Sequence, residues 1–143
     1  MLREIVPPDT GLAFIAMREL RIGLSSQEGF VEQVDNVQRP AGYRLVGIST
    51  TEGADAVAVA GFRESTSLSW GHHLYVDDLS TLVSARGQGF ATRLLAWIHD
   101  EANRLGCAEI HLDSGVGSER YAAHRLYLAS DYAINAHHFF RPV

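Results

Sequence analysis

The tightest constraint on this chain's fold lies at residues 83–106, VSARGQGFATRLLAWIHDEANRLG. Two glycines, an arginine and a glutamine stand directly before the best helical pattern in the sequence. Over roughly 89–105, Phe90, Leu94, Ile98, Ala102 and Leu105 form one apolar stripe. Gly106 then occupies the position where helices end in a left-handed residue. Upstream, HHLYVDDLSTLV (72–83) reads as a strand, and downstream so does CAEIHLDSGV. Strand, helix and strand in that order imply a parallel pair inside a mixed sheet.

The other elements follow from pattern and punctuation. REIV (3–6) reads as a short strand stopped by Pro7 and Pro8. Asp9 or Thr10 can cap a helix over GLAFIAMRELRIGL, with Leu12, Ile15, Ala16, Leu20 and Leu24 at helical spacing. A weaker helix, SQEGFVEQVDNVQ, puts Phe30, Val34 and Val37 on one face and ends at Pro40 and Gly42. YRLVGISTT (43–51), AVAVAGFRE (56–64) and the strand at 72–83 are joined by short turns, as in an antiparallel meander. SERYAAHRLYLAS reads as a helix and YAINAHHFF as a closing strand. No repeat or linker interrupts the 143 residues, so one domain, 1–143, is expected.

Composition narrows the function. A formal net charge of −5 disfavours a nucleic-acid binder, which needs a basic patch or stripe. A single cysteine, Cys107, excludes an internal disulfide and any multi-cysteine metal site. No apolar run is long enough for a membrane span, and the N-terminus lacks a signal-peptide pattern, so a soluble cytoplasmic protein is expected.

The first N–H groups of a helix have no internal acceptor, and the helix dipole adds partial positive charge there. Glycines before such a terminus let an anion approach the backbone, and Arg86 adds a charged donor. Arg86-Gly87-Gln88-Gly89-Phe90-Ala91 is therefore a candidate diphosphate cradle, with plain turn chemistry as the alternative. It is neither a Walker loop, which ends in Gly-Lys-Ser/Thr, nor a dinucleotide fingerprint, since residues 87–92 read G-Q-G-F-A-T.

RGQGFA resembles the R/Q-x-x-G-x-G/A motif of the GNAT superfamily of acyl-CoA N-acyltransferases. LYVDDLSTLVSARGQGFATRLL is similar to that family's fourth strand, pyrophosphate loop and third helix. AAHRLYLASDY is similar to its later A-x-x-[FL]-Y-x-x-x-G-F segment. The likeness is specific over about 70–140. It departs at Arg120, where the family often has Asn, and at Asp131, which replaces a Gly. Asp tolerates a left-handed turn better than most residues.

The resemblance implies a mixed central sheet flanked by helices, with splayed strands forming an acyl-CoA cleft. It implies an N-acetyltransferase that moves acetyl from acetyl-CoA to an amine by direct attack. The backbone of Leu79, Ser80 and Thr81 would run beside the pantetheine arm. The N–H groups of residues 87–91 would hold the pyrophosphate, with Arg86 and Gln88 nearby. Tyr127 would protonate the departing thiolate, and an N–H near Thr81 would stabilise the oxyanion.

An ammonium must lose a proton before it can attack. Asp77 and Asp78 are the carboxylates on the strand leading to the loop, and strand alternation sends them to opposite faces. Asp77 lies where some relatives place a base, with Asp78 in reserve; the alternative for both is to attract a cationic amine or to form structural hydrogen bonds. The seven histidines form no recognised ligand spacing, so no metal is expected. Cys107 reads as a structural thiol. The acceptor is an amine on a small molecule or a peptide, and a homodimer is open if a partner supplies the last strand. The alternatives are a non-catalytic acyl-CoA sensor or regulatory module, and an interaction protein with no nucleotide site.

Overall fold

A computed structural model describes residues 1–143, which resolve into two compact units, Met1–His111 and Leu112–Val143. The sheet has five strands in chain order: β1 (Leu2–Ile5), β2 (Tyr43–Ser49), β3 (Ala56–Ser67), β4 (Gly71–Thr81) and β5 (Glu109–Leu112). The strands β1 to β4 are antiparallel, as the short turns require. Strand β3 runs three residues past the expected end at Glu64, through Ser65, Thr66 and Ser67, because those residues pair with the start of β4.

Helices cover the sheet. α1 (Phe14–Leu20) packs on β3 and β4, α2 (Gln27–Gln33) lies against α1, and α3 (Phe90–Leu105) packs on β2, β3 and β4. One core joins Ile5, Phe14, Met17, Phe30, Val34, Tyr43, Leu45 and Val59. Leu94, Leu95, Ile98 and Ala102 are the buried face of α3, where Phe62 meets Trp97 edge-on at 5.9 Å. The central strands are buried on both sides, so β2 and the first half of β3 read as continuous apolar runs.

Two helical faces differ from the sequence expectation. The first helix begins as a 3-10 turn at Asp9–Ala13, and this shift of phase buries Ala13, Phe14, Ala16 and Met17 and leaves Ile15 exposed. It stops at Leu20 because Arg21 leaves helical geometry (φ −106°, ψ 74°). In the second, the Ser26 hydroxyl caps the helix by accepting from Gly29 N–H at 3.1 Å. A π-turn at Val34–Gln38 then rotates Val37 out to solvent while Phe30 and Val34 stay buried.

An ion network clamps α3 to the sheet. Glu101 accepts from Arg104 at 2.6 Å and lies 2.7 Å from Arg44, which also holds Glu4 through two bonds. The Arg104 bonds, then those of Arg44, outweigh desolvation and bring the Glu101 carboxyl down to about 2. Gly106 ends α3 with φ 76°, as expected.

The second unit carries α4 (Tyr121–Ala129), entered by a 3-10 turn at Ser118–Arg120. Asp131 turns the chain at φ 67°, the left-handed role expected for it. The strand expected at YAINAHHFF is not formed. Alternation supplies a face but no partner, and residues 133–143 are exposed, where water can serve their backbone groups. No helix is long and apolar enough to cross a membrane.

Candidate functional site

The expected alternation of Asp77 and Asp78 fails for a local reason. Gly61 on β3 pairs with Asp78, yet the next residue, Phe62, pairs with Val76. Asp77 is the extra residue of a β-bulge, which breaks the two-residue period. Both aspartates consequently line one cavity of about 540 Å³ in the first unit. Its apolar wall includes Met17, Leu24, Phe30 and Val34, and its polar wall includes Arg21, Tyr43, Arg63, Gln33 and Gln38. This volume lies in the ordinary range for small-molecule sites.

Each carboxylate is already engaged. Asp77 accepts two parallel bonds from Arg63, both 2.8 Å. Asp78 accepts from Arg21 Nε at 2.7 Å and from the Tyr43 hydroxyl at 2.7 Å. Arg21 also donates to the Asp77 carbonyl at 2.8 Å, bracing the bulge. Burial, then the neighbouring Asp78, raises the Tyr43 pKa, so this phenol stays protonated and donates. Two arginines thus balance two aspartates around the cavity. Each carboxylate keeps lone-pair sites beyond the two in use.

Arg21, Tyr43 and Arg63 were missed in the sequence. Register would have found Arg63, which pairs with Tyr75 and so lies diagonally across from Asp77. Arg21 and Tyr43 reach the site from a loop and from β2, and no spacing signals that.

Beyond the bulge, Leu79, Ser80 and Thr81 pair with Ala60, Val59 and Ala58 on one edge. β5 has four residues against eleven in β4, so it cannot pair with the whole of the other edge. The Ser80 hydroxyl is committed to the Ala16 carbonyl at 2.7 Å, which leaves the backbone as this residue's part in any site.

The glycine turn has the geometry a cradle needs. Gly87 and Gly89 have φ 75° and 78°, and a Cβ on either would point into open space. The first bond of α3 runs from Arg93 N–H to the Gly89 carbonyl, so Phe90, Ala91 and Thr92 have no helical acceptor for their N–H groups. Arg86 and Gln88 are exposed, and Arg86 Nε donates to the Thr81 carbonyl at 3.3 Å. In the second unit Tyr127 is buried on α4, its ring 6.1 Å from that of Tyr132. Burial raises the Tyr127 pKa against the opposing effect of Arg120.

A five-stranded sheet with this bulge, turn and helix defines a class. The model of the acetyltransferase (GNAT) family matches residues 12–132, and the chain belongs to that family. The uncharacterized N-acetyltransferase YhdJ of Bacillus subtilis (strain 168) is 29% identical over 128 residues, covering 89% of this chain and 87% of that protein. Solved structures agree on the fold. A ribosomal-protein-alanine N-acetyltransferase from Brucella melitensis biovar Abortus 2308 superposes with a TM-score of 0.82 at 14% identity, covering 100% of this chain and 99% of the other. A glucosamine-6-phosphate N-acetyltransferase from Arabidopsis thaliana gives 0.77 at 14%, covering 99% and 97%.

Proposed function

We propose that this acetyltransferase moves acetyl from acetyl-CoA to an amine by direct attack in a ternary complex. The observation that carries the reading is the continuity of β4. Asp77 and Asp78 line the cavity, and the next three residues are the strand that the family resemblance assigns to pantetheine. An acceptor in the cavity would then lie close to the thioester.

Leu79, Ser80 and Thr81 offer backbone groups to the pantetheine amides, and an N–H near Thr81 stabilises the oxyanion. Arg86, Gly87, Gln88, Gly89, Phe90 and Ala91 hold the pyrophosphate through helix-terminal N–H groups and the Arg86 charge. Asp77 anchors the ammonium and, as the preferred base, takes its proton, with Asp78 as the reserve. Arg63 and Arg21 hold the two carboxylates in place. The family resemblance assigns Tyr127, in the second unit, the proton for the departing thiolate; burial raises its pKa, which keeps the phenol protonated but makes it a weaker acid. Cys107 has no part, because the acetyl group passes directly to the amine.

The full engagement of both aspartates also favours a second reading, a sensor that binds acyl-CoA without turnover. Thermal stabilisation by coenzyme A tests the cradle. Thiol release from acetyl-CoA over a panel of amines then separates the two readings. Amine-dependent release supports the enzyme; binding without release across the panel supports the sensor.

A further inference from the structure

Glu64 on β3, His72 on β4 and Cys107 just before β5 meet at the end of the sheet opposite Thr81. Glu64 Oε1 lies 2.6 Å from His72 Nε2, and Cys107 Sγ lies 3.6 Å from the same nitrogen. The three ligand atoms all fall within 4.8 Å of one another.

The backbone presets this meeting. Glu64 pairs with Leu74, so His72 is its diagonal neighbour on the same face of the sheet. Ala108 N–H donates to the His72 carbonyl at 2.8 Å, which keeps Cys107 beside His72.

A catalytic relay is the obvious alternative for a thiol, an imidazole and a carboxylate. Such a relay uses both ring nitrogens, one toward each partner. Here both partners approach the same nitrogen, Nε2.

We propose that Glu64, His72 and Cys107 form a zinc-type site for a divalent cation, joining β3, β4 and the start of β5. Thiolate, imidazole and carboxylate together suit zinc or its substitute cobalt. Around a tetrahedral zinc, sulfur and nitrogen ligands stand roughly 3.5 Å apart, close to the sulfur–nitrogen distance here. The carboxylate has only to withdraw by about 1 Å to reach a comparable separation from the nitrogen. Its side chain is 42% exposed and free to do so. Three protein ligands leave a fourth position for solvent. The ligands are too far apart in sequence for any spacing motif to reveal them.

The test uses the full chain under reducing conditions. Cobalt(II) is titrated first and zinc(II) competed against it. One equivalent of cobalt is expected to give thiolate-to-metal charge-transfer absorption, zinc to abolish it, and zinc to raise the melting temperature. Glu64→Gln and His72→Gln should each weaken zinc binding about tenfold or more, and Cys107→Ser should remove the absorption, each with an unchanged circular dichroism spectrum. Absence of the absorption in the native sequence overturns the site. So does zinc affinity unchanged in both Glu64→Gln and His72→Gln, since the thiol would then be acting alone.

Discussion

The Tyr43 hydroxyl donates to Asp78 Oδ2 at 2.7 Å across an intervening strand. It passes over Gly61, where a Cβ would overlap the Tyr43 ring and hydroxyl. A tyrosine on β2, a glycine on β3 and an aspartate on β4 therefore form one device that sets the floor of the cavity.

Tyr43→Phe removes a hydrogen bond to a charged acceptor, and a loss of about 1.5–3 kcal/mol is expected. Gly61→Ala should destabilise at least as much, because Tyr43 must leave its place as well. Urea unfolding of both variants checks this. A Gly61→Ala protein as stable as the parent would contradict the packing.

Asp77→Asn separates a base from an anchor. Loss of a general base predicts a fall in kcat of about 10²–10⁴-fold. Loss of an anchor alone predicts a higher KM with kcat unchanged. Our assignment expects the kcat loss, with a smaller effect for Asp78→Asn. Steady-state kinetics with a responsive amine decides it.

Much of the glycine turn and of α3 was legible in the sequence, because each part announces itself locally. The α3 stripe is strongly periodic, Gly106 marks its end, and Gly87 and Gly89 mark the left-handed turn. The cavity was less legible. Reading Asp77 and Asp78 onto opposite faces assumed an unbroken ladder, and the bulge depends on how β3 and β4 register. Ile15 and Val37 misled because a 3-10 turn and a π-turn shift helical phase without changing composition. The closing strand misled because strands need a neighbour, which alternation does not supply.

Gly89→Ala forces an alanine to φ 78°, at a cost of about 1–2 kcal/mol. The turn should lose stability and coenzyme A should bind more weakly, since the N–H groups no longer converge. Calorimetric titration of coenzyme A into both proteins measures this. Equal affinity would place the diphosphate elsewhere.

Acid should release the clamp on α3. Glu101 titrates at about 2 in the fold, below its ordinary value of 4.5. A lowered carboxyl stabilises the folded state above the ordinary value, and that contribution is lost as pH falls toward 2. The loss is roughly 1–2 kcal/mol, less than the full shift implies because Arg104 is solvent-exposed. Glu101→Gln should be less stable at pH 7 and show a shallower decline below pH 4.5. Denaturant unfolding across this range tests the sign.

The most direct test of the central claim is a bisubstrate initial-rate experiment. Acetyl-CoA and an amine found by the screen are varied together, and the N-acetylated product is counted by mass spectrometry. Direct attack in a ternary complex predicts intersecting double-reciprocal lines, with Cys107→Ser fully active. Parallel lines with activity lost in Cys107→Ser would mean an acyl-enzyme and contradict the account.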